Sequence, residues 1–139
     1  MSNANRTGAM NADAPERESH FQQLRRSLEA LVASASVQRS LFPEWAVTAD
    51  ELALDFDHWV DVIQSNYEDE LEDEQRRSLQ AIVDGFASMS RDGAELEADV
   101  WSEAAVRSSE AWVSVRHLAG EALRAFGWPV EEARPRDGP

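Results

Sequence analysis

Two side chains in this 139-residue sequence have a spacing that could support metal chemistry. Asp55 and His58 are three residues apart, so on one helix both could bind the same ion, as in the Glu-x-x-His element of di-iron helical bundles. Such a site needs a second copy of the element and further inward-facing carboxylates. The other two histidines, His20 and His117, have arginine and serine at the corresponding position. We therefore expect no metal site.

Other catalytic patterns are also missing from the sequence. The chain has no cysteine, and its six glycines are dispersed, so it offers neither a thiol nucleophile nor a glycine-rich phosphate loop. No known motif places a serine beside a histidine. Acids are abundant, but nothing in their spacing selects one pair for glycosidase-like chemistry. We expect a protein that is not an enzyme and binds no cofactor.

The helix that would carry Asp55 and His58 is the best defined element. Thr48 and Glu51 have capping-box spacing, which predicts that the helix begins near Thr48. Apolar residues then recur at steps of three and four, which is typical of a buried stripe. These residues are Leu52, Phe56, Trp59, Val60, Ile63 and Tyr67. At 100° per residue, the opposite side carries Asp50, Asp57 and Asp61, and Glu51, Asp55 and His58 lie along one flank.

The net charge of −14 is concentrated around this helix. Between Arg39 and Arg76 the sequence has 12 acidic side chains and no basic one, whereas the remainder has 15 acids and 13 bases. Such an uneven distribution disfavours direct binding to nucleic acid or to an anionic membrane and favours a cationic partner. Crowded like charges also repel one another and lower stability, a cost that a binding function would justify.

Three further helices are predicted from the same periodicity, over 18–36, 73–90 and 97–126. The last would span about 45 Å, against about 30 Å for the helix that begins at Thr48. It must therefore overhang the others or break, and Ser108-Ser109 is the expected break point. Gly127 stands where a left-handed C-cap belongs, with Trp128 placed to pack back on the helix.

These elements predict an all-α protein, a four-helix bundle in up-down-up-down order. We expect a single helical domain over 18–128, with disordered tails over 1–17 and 129–139, because neither tail has apolar periodicity. The absence of cysteine, of a secretory signal and of an apolar run near the roughly 20 residues of a membrane span favours a cytoplasmic protein.

Our first functional hypothesis is a non-enzymatic module that docks its anionic helix on a basic partner protein. Charge would speed association, and aromatic side chains would give selectivity. By analogy of class and charge, such bundles act as bacterial immunity proteins or antitoxins that cover the basic cleft of a nuclease or another toxin. A protein that mimics DNA is the weaker version of this hypothesis, because the acidic array is too short to follow many duplex phosphates. The predicted binding residues are Trp45, Asp50, Glu51, Asp55, Asp57, Asp61, Tyr67, Glu68, Asp69 and Glu70.

The alternative hypothesis is a structural or regulatory homo-oligomer, in its simplest form a homodimer. In the last predicted helix Val106, Val113 and Leu118 lie beside the main apolar stripe and widen it. A surface of that width could form a subunit interface, and the acidic helix would then only keep the protein soluble.

Overall fold

Helices make up most of the chain in the computed structural model, which describes the backbone of residues 2–96 and 101–131 and the side chains of residues 15–89 and 101–131. The helices are α1 (Ser2–Val32), α2 (Ala35–Ser40), α3 (Thr48–Tyr67), α4 (Asp73–Leu96), α5 (Glu103–Ser108) and α6 (Glu110–Ala125). A 3₁₀ turn over Glu68–Glu70 joins α3 to α4. No strand occurs in these ranges, and the predicted all-α helical bundle is confirmed.

The four long helices pack in an open arrangement. α1 packs closely against both α3 and α6, and α6 packs closely against α4, whereas α3 and α4 approach each other much less. The core between them is mainly apolar; its largest fully buried apolar side chains include Leu24, Leu28, Phe56, Ile63, Leu79, Ile82 and Trp112. Among the residues that the structure describes, one side of the bundle, between α3 and α4, is therefore only loosely closed. The up-down-up-down order of the helices stays a prediction.

The first helix differs from its predicted range at both ends. The structure continues α1 back to Ser2, through residues that we expected to form a disordered tail. Residues 2–17 contain four alanines, which favour helix, but also Gly8 and Pro15, which disfavour it, so their sequence does not explain the extension. The expected tail over 129–139 lies mostly outside the described residues, and the division into one domain and two tails stays a prediction.

At its C-terminal end α1 stops at Val32, short of the predicted residue 36. The Ser34 side chain accepts a hydrogen bond from the Val37 N–H and begins a separate short helix, α2. The buried Gln38 amide donates to the carbonyls of Ala30 and Leu31, at 3.0 and 3.1 Å. Gln38 thus satisfies carbonyls that the last turn of a helix leaves free.

The predicted start of α3 at Thr48 is confirmed, but the predicted capping box is wrong. Val47 occupies the N-cap position without a side-chain hydrogen bond, and the Thr48 hydroxyl is buried without a partner. The Thr48 N–H donates instead to the carboxylate of Glu103 on α5, at 3.1 Å. A partner 55 residues away in sequence therefore caps the helix.

The predicted break in the last helix is confirmed at Ser109. This residue is extended, with φ −70° and ψ 138°, and its side chain accepts a hydrogen bond from the Ala111 N–H. It ends α5 and caps α6 at the same time. The Arg116 guanidinium, on α6, donates to the Val106 carbonyl in the last turn of α5 and ties the two segments together.

The C-terminal end of α6 also follows the sequence prediction. Gly127 has φ +75°, which a residue with a Cβ rarely adopts. The Gly127 N–H donates to the Arg124 carbonyl and the Trp128 N–H donates to the Leu123 carbonyl, both at 2.9 Å. This is the hydrogen-bond pattern of a Schellman motif. Trp128 then stacks on Phe126, with ring centroids 4.6 Å apart.

Trp59 on the predicted stripe of α3 and Trp112 on α6 differ in burial and should differ in their contribution to stability. Trp112 is fully buried and contacts Phe86, whereas Trp59 is only partly buried against the core. Trp112→Ala should lower the free energy of unfolding by about 3–5 kcal/mol, and Trp59→Ala by clearly less. Urea denaturation followed by far-UV circular dichroism measures both, and an equal loss would contradict this assignment of the core.

The Glu103 carboxylate should stabilise the start of α3 measurably. Glu103→Ala removes the hydrogen bond to the Thr48 N–H together with a 3.8 Å ion pair to Arg39, and should lower the free energy of unfolding by about 1 kcal/mol. Glu110→Ala is the matched control, because Glu110 also follows a serine N-cap directly and begins α6 as Glu103 begins α5. If both variants lose the same stability in urea titrations, Glu103 acts only as a first-turn acid of its own helix.

Candidate protein-binding face

Three carboxylates point into solvent along one side of α3. Asp50, Asp57 and Asp61 are exposed, and within the described part of the chain none of them has an ion pair or a hydrogen-bond partner for its side chain. We call these three residues the acidic face. Asp57 and Asp61 are one helical turn apart and Asp50 lies two turns before Asp57, and α3 places all three at the edge of the space that separates it from α4. Among the described residues, the acidic face is therefore a row of unpaired negative charges.

The other two predicted acids of α3 lie on a different flank of the helix. Glu51 is half-buried and Asp55 is exposed, but neither lines the space between α3 and α4. The structure thus divides the anionic helix that the sequence predicts. The acidic face adjoins α4, and Glu51 and Asp55 lie apart from it.

The acids after α3 are partly neutralised by arginines from other elements. Arg76 on α4 contacts Glu68 at 2.8 Å and also Asp73. Arg17 on α1 contacts Glu70 at 2.6 Å. Only Asp69 of the three predicted acids in the 3₁₀ turn has no ion pair in the described part of the chain. This turn therefore carries less free charge than its sequence indicates.

Tyr67, a predicted aromatic contact residue, is engaged within the protein. Its hydroxyl lies 2.9 Å from His20 Nδ1, and its ring packs against Phe21 with centroids 5.4 Å apart. The side chain is half-buried against the core. Tyr67 therefore joins α1 to the end of α3, and little of it is left for a partner.

Trp45, in contrast, is 84% exposed. It lies in the connector between α2 and α3, where the Arg39 guanidinium donates to the carbonyls of Pro43 and Glu44 at 3.3 and 2.9 Å. Leu41 and Phe42 at the start of the connector pack against the core. The connector is thus anchored at its start and braced by Arg39, and it presents the indole to solvent.

The space between α3 and α4 is a groove that the sequence analysis did not predict. It consists of two adjoining open spaces of about 470 and 380 Å³, which share Leu54, Asp57 and Val83. We call it the α3–α4 groove. Besides these three residues and the rest of the acidic face, its lining comprises Ala53, Phe56, His58, Val60, Gln64, Phe86, Ala87 and Trp101.

One sequence signal could have indicated the groove. Leu54 lies between acids in the segment LALDFD, out of phase with the buried stripe, and it is 67% exposed. The lining beside it is small and apolar, because it includes Ala53 on α3 and Ala87 on α4. Below them, Phe86, Trp101 and Trp112 form an aromatic cluster with centroids 5.6–6.2 Å apart. The groove therefore has an apolar floor on a rigid base.

Neither a metal site nor a membrane span is evident in the part of the chain that the structure describes. No three histidine, aspartate or glutamate side chains come close enough there to hold an ion. His58 packs edge-on against Trp59, with centroids 4.6 Å apart. None of the described helices is long and apolar enough to cross a bilayer.

Comparisons with known proteins identify no relative of this chain. No protein-family model matches the chain, and no curated protein or solved structure is significantly similar to it.

The acidic face should lower the stability of the folded protein. Asp57 and Asp61 are four residues apart on α3, and like charges at that spacing destabilise a helix by about 0.2–0.5 kcal/mol. Asp57→Asn should therefore raise the midpoint of thermal unfolding slightly at low ionic strength, and salt should reduce the gain. Glu70→Gln removes a paired acid and should have the opposite effect. A stabilising Glu70→Gln or a destabilising Asp57→Asn would show that this charge assignment is wrong.

Proposed function

We propose that this protein is a non-enzymatic binding protein that docks the acidic face of α3 on a basic partner protein. It acts as an inhibitor, in the manner of an immunity protein or antitoxin that covers the basic cleft of a nuclease or another toxin. The observation that carries this proposal is the row of three exposed carboxylates, Asp50, Asp57 and Asp61, which no described arginine neutralises.

The contrast with neighbouring acids supports a role in binding. Where acids crowd in the turn after α3, Arg17 and Arg76 pair with them. On the acidic face no such compensation occurs among the described residues, although it would reduce repulsion. Uncompensated charge of one sign attracts an oppositely charged partner over distances of about a Debye length, near 10 Å at 0.1 M salt.

Trp45 supports selectivity in the same interaction. Large exposed aromatic side chains often supply the dominant contacts of an interface. Because Arg39 braces the connector through two carbonyls, ordering Trp45 on binding should cost less entropy than ordering a free loop. A charged face for fast association and an indole for specific contact are together what an inhibitor requires.

The homo-oligomer hypothesis has less support. The last predicted helix is divided into α5 and α6, and most of its apolar surface is used within the chain. Val106 is buried and Leu118 packs partly against the core, so of the three residues that widened the stripe only Val113 is exposed, at 53%. A single exposed valine is a small basis for a subunit interface.

Replacing the acidic face should weaken capture of the partner. The native protein and the variant Asp50→Asn/Asp57→Asn/Asp61→Asn are immobilised, exposed to a lysate of the source organism, and eluted between low salt and about 0.5 M salt, where exposed charges are heavily screened. We expect one basic protein on the native chain and little on the variant. With the purified partner, the association rate constant should fall about tenfold or more at low ionic strength.

The matched control removes the same charge elsewhere. Glu16, Glu110 and Glu131 are exposed and lie outside α3, so Glu16→Gln/Glu110→Gln/Glu131→Gln changes the net charge equally. This variant should capture the partner nearly as well as the native chain. Equal losses in both variants would mean that only net charge matters, and equal retention in both would remove the acidic face as the binding site.

A further inference from the structure

We infer that the α3–α4 groove binds one amphipathic helix of the partner, which lays an apolar stripe on the groove floor and places arginine or lysine side chains against the acidic face. This inference rests on the proposed function and narrows it from a charged surface to a defined binding site. Two independent features of the structure support it: the open side of the bundle and the charge along the edge of that opening.

The groove has the dimensions of a helix-binding site. Its lining on α3 extends from Asp50 to Gln64, which corresponds to about 21 Å along the helix axis. An incoming helix would make about four turns over that length. Because its two spaces share Leu54 and Val83, the groove is continuous rather than a pair of separate hollows. The lining on α4 is shorter, from Val83 to Ala87, so the new helix would lie along α3 and contact α4 over about one turn.

The lining determines the chemistry of the occupant. Leu54, Val83, Ala53 and Ala87 offer an apolar floor in which leucine or isoleucine at i, i+3, i+4 and i+7 could be buried. Asp50, Asp57 and Asp61 project along the α3 edge, where they would meet cationic side chains that flank that stripe. An apolar floor beside a negative edge is complementary to a basic amphipathic helix.

Other occupants fit these features less well. A small molecule is generally buried for the most part in its site, whereas Leu54 at the centre of this groove is 67% exposed. A second copy related by a two-fold axis through the groove would bring two acidic faces together. A nucleic acid or an anionic membrane would be repelled by the same carboxylates.

A synthetic peptide tests the inference without the natural partner. The probe is a fluorescein-labelled peptide of about 18 residues, with leucine along one helical face and arginine on both flanks. A control peptide has the same composition in scrambled order, without an apolar face. Fluorescence anisotropy with the native full-length chain should show binding of the probe and at least tenfold weaker binding of the scrambled peptide. Equal binding of both peptides would overturn the inference, because charge alone would then explain it.

Variants of the protein locate the binding site. Leu54→Gln/Ala87→Gln changes two exposed groove residues and should weaken probe binding tenfold or more without unfolding the bundle. Val113→Gln/Ala104→Gln is the matched control, because this exposed valine and alanine lie on α6 and α5, outside the groove. We expect this control variant to bind the probe with unchanged affinity. Circular dichroism verifies that both variants are folded.

The same measurements separate this inference from the proposed function. If the three asparagine substitutions abolish probe binding and the groove variant binds normally, the acidic face binds partners but the groove does not, and this inference fails. If the groove variant loses binding and the asparagine variant does not, the groove binds the helix through its apolar stripe alone; the charge-based function then fails, and so does the pairing of cationic side chains with the acidic face. Loss in both variants supports both proposals.

Two further outcomes would assign the groove to another occupant. A chain shortened after residue 131 should bind the probe with the same affinity as the full chain. A tenfold gain in affinity for the probe would mean that the C-terminal segment occupies the groove. Sedimentation should show no dimer of the full chain that depends on the groove, that is, no dimer that disappears in the groove variant. Such a dimer would identify a second copy as the occupant and overturn the inference.

Discussion

The packing of α1 against α6 is the contact on which the arrangement of the other helices depends. Each of these two helices has two close neighbours, whereas α3 packs mainly on α1, and α4 mainly on α6. The apolar stripes of α3 and α4 are therefore buried with little direct contact between these two helices, chiefly Phe56 against Phe86. A bundle built around a central pair can leave one side open and still have a continuous core. The α3–α4 groove follows from this geometry.

Charge is distributed in a way that matches the packing. Near the turn that joins α3 to α4, α1 and α4 bring Arg17 and Arg76 to the crowded acids. Along the open side no described arginine reaches Asp50, Asp57 or Asp61. The residual repulsion is thus concentrated at the edge of the groove. There, a cationic partner would replace repulsion with attraction, so the same charges that weaken the free protein would favour a complex.

The sequence predicted the helix ends that neighbouring residues determine. Ser109 and Gly127 end helices through their own side chain or backbone freedom, and both were placed correctly from neighbouring residues. The cap of α3 was not predicted correctly, because Glu103 reaches Thr48 only when α5 is packed against the start of α3. Arg17 and Glu70 pair across 53 residues, and the groove depends on the distance between two helices. Periodicity within one helix contains no information on ion pairs between distant residues or on the distance between two helices.

Leu54 and Trp45 are the residues that argue most strongly against an acidic surface that merely confers solubility. Such a surface needs only charge, and a large exposed apolar side chain on it works against solubility. Here an exposed leucine lies amid the carboxylates of α3, and an exposed indole stands on a braced connector just before that helix. Carboxylates alone would attract any cationic protein. Apolar contacts at fixed positions restrict binding to a partner of matching shape, which is the combination expected of a specific inhibitor.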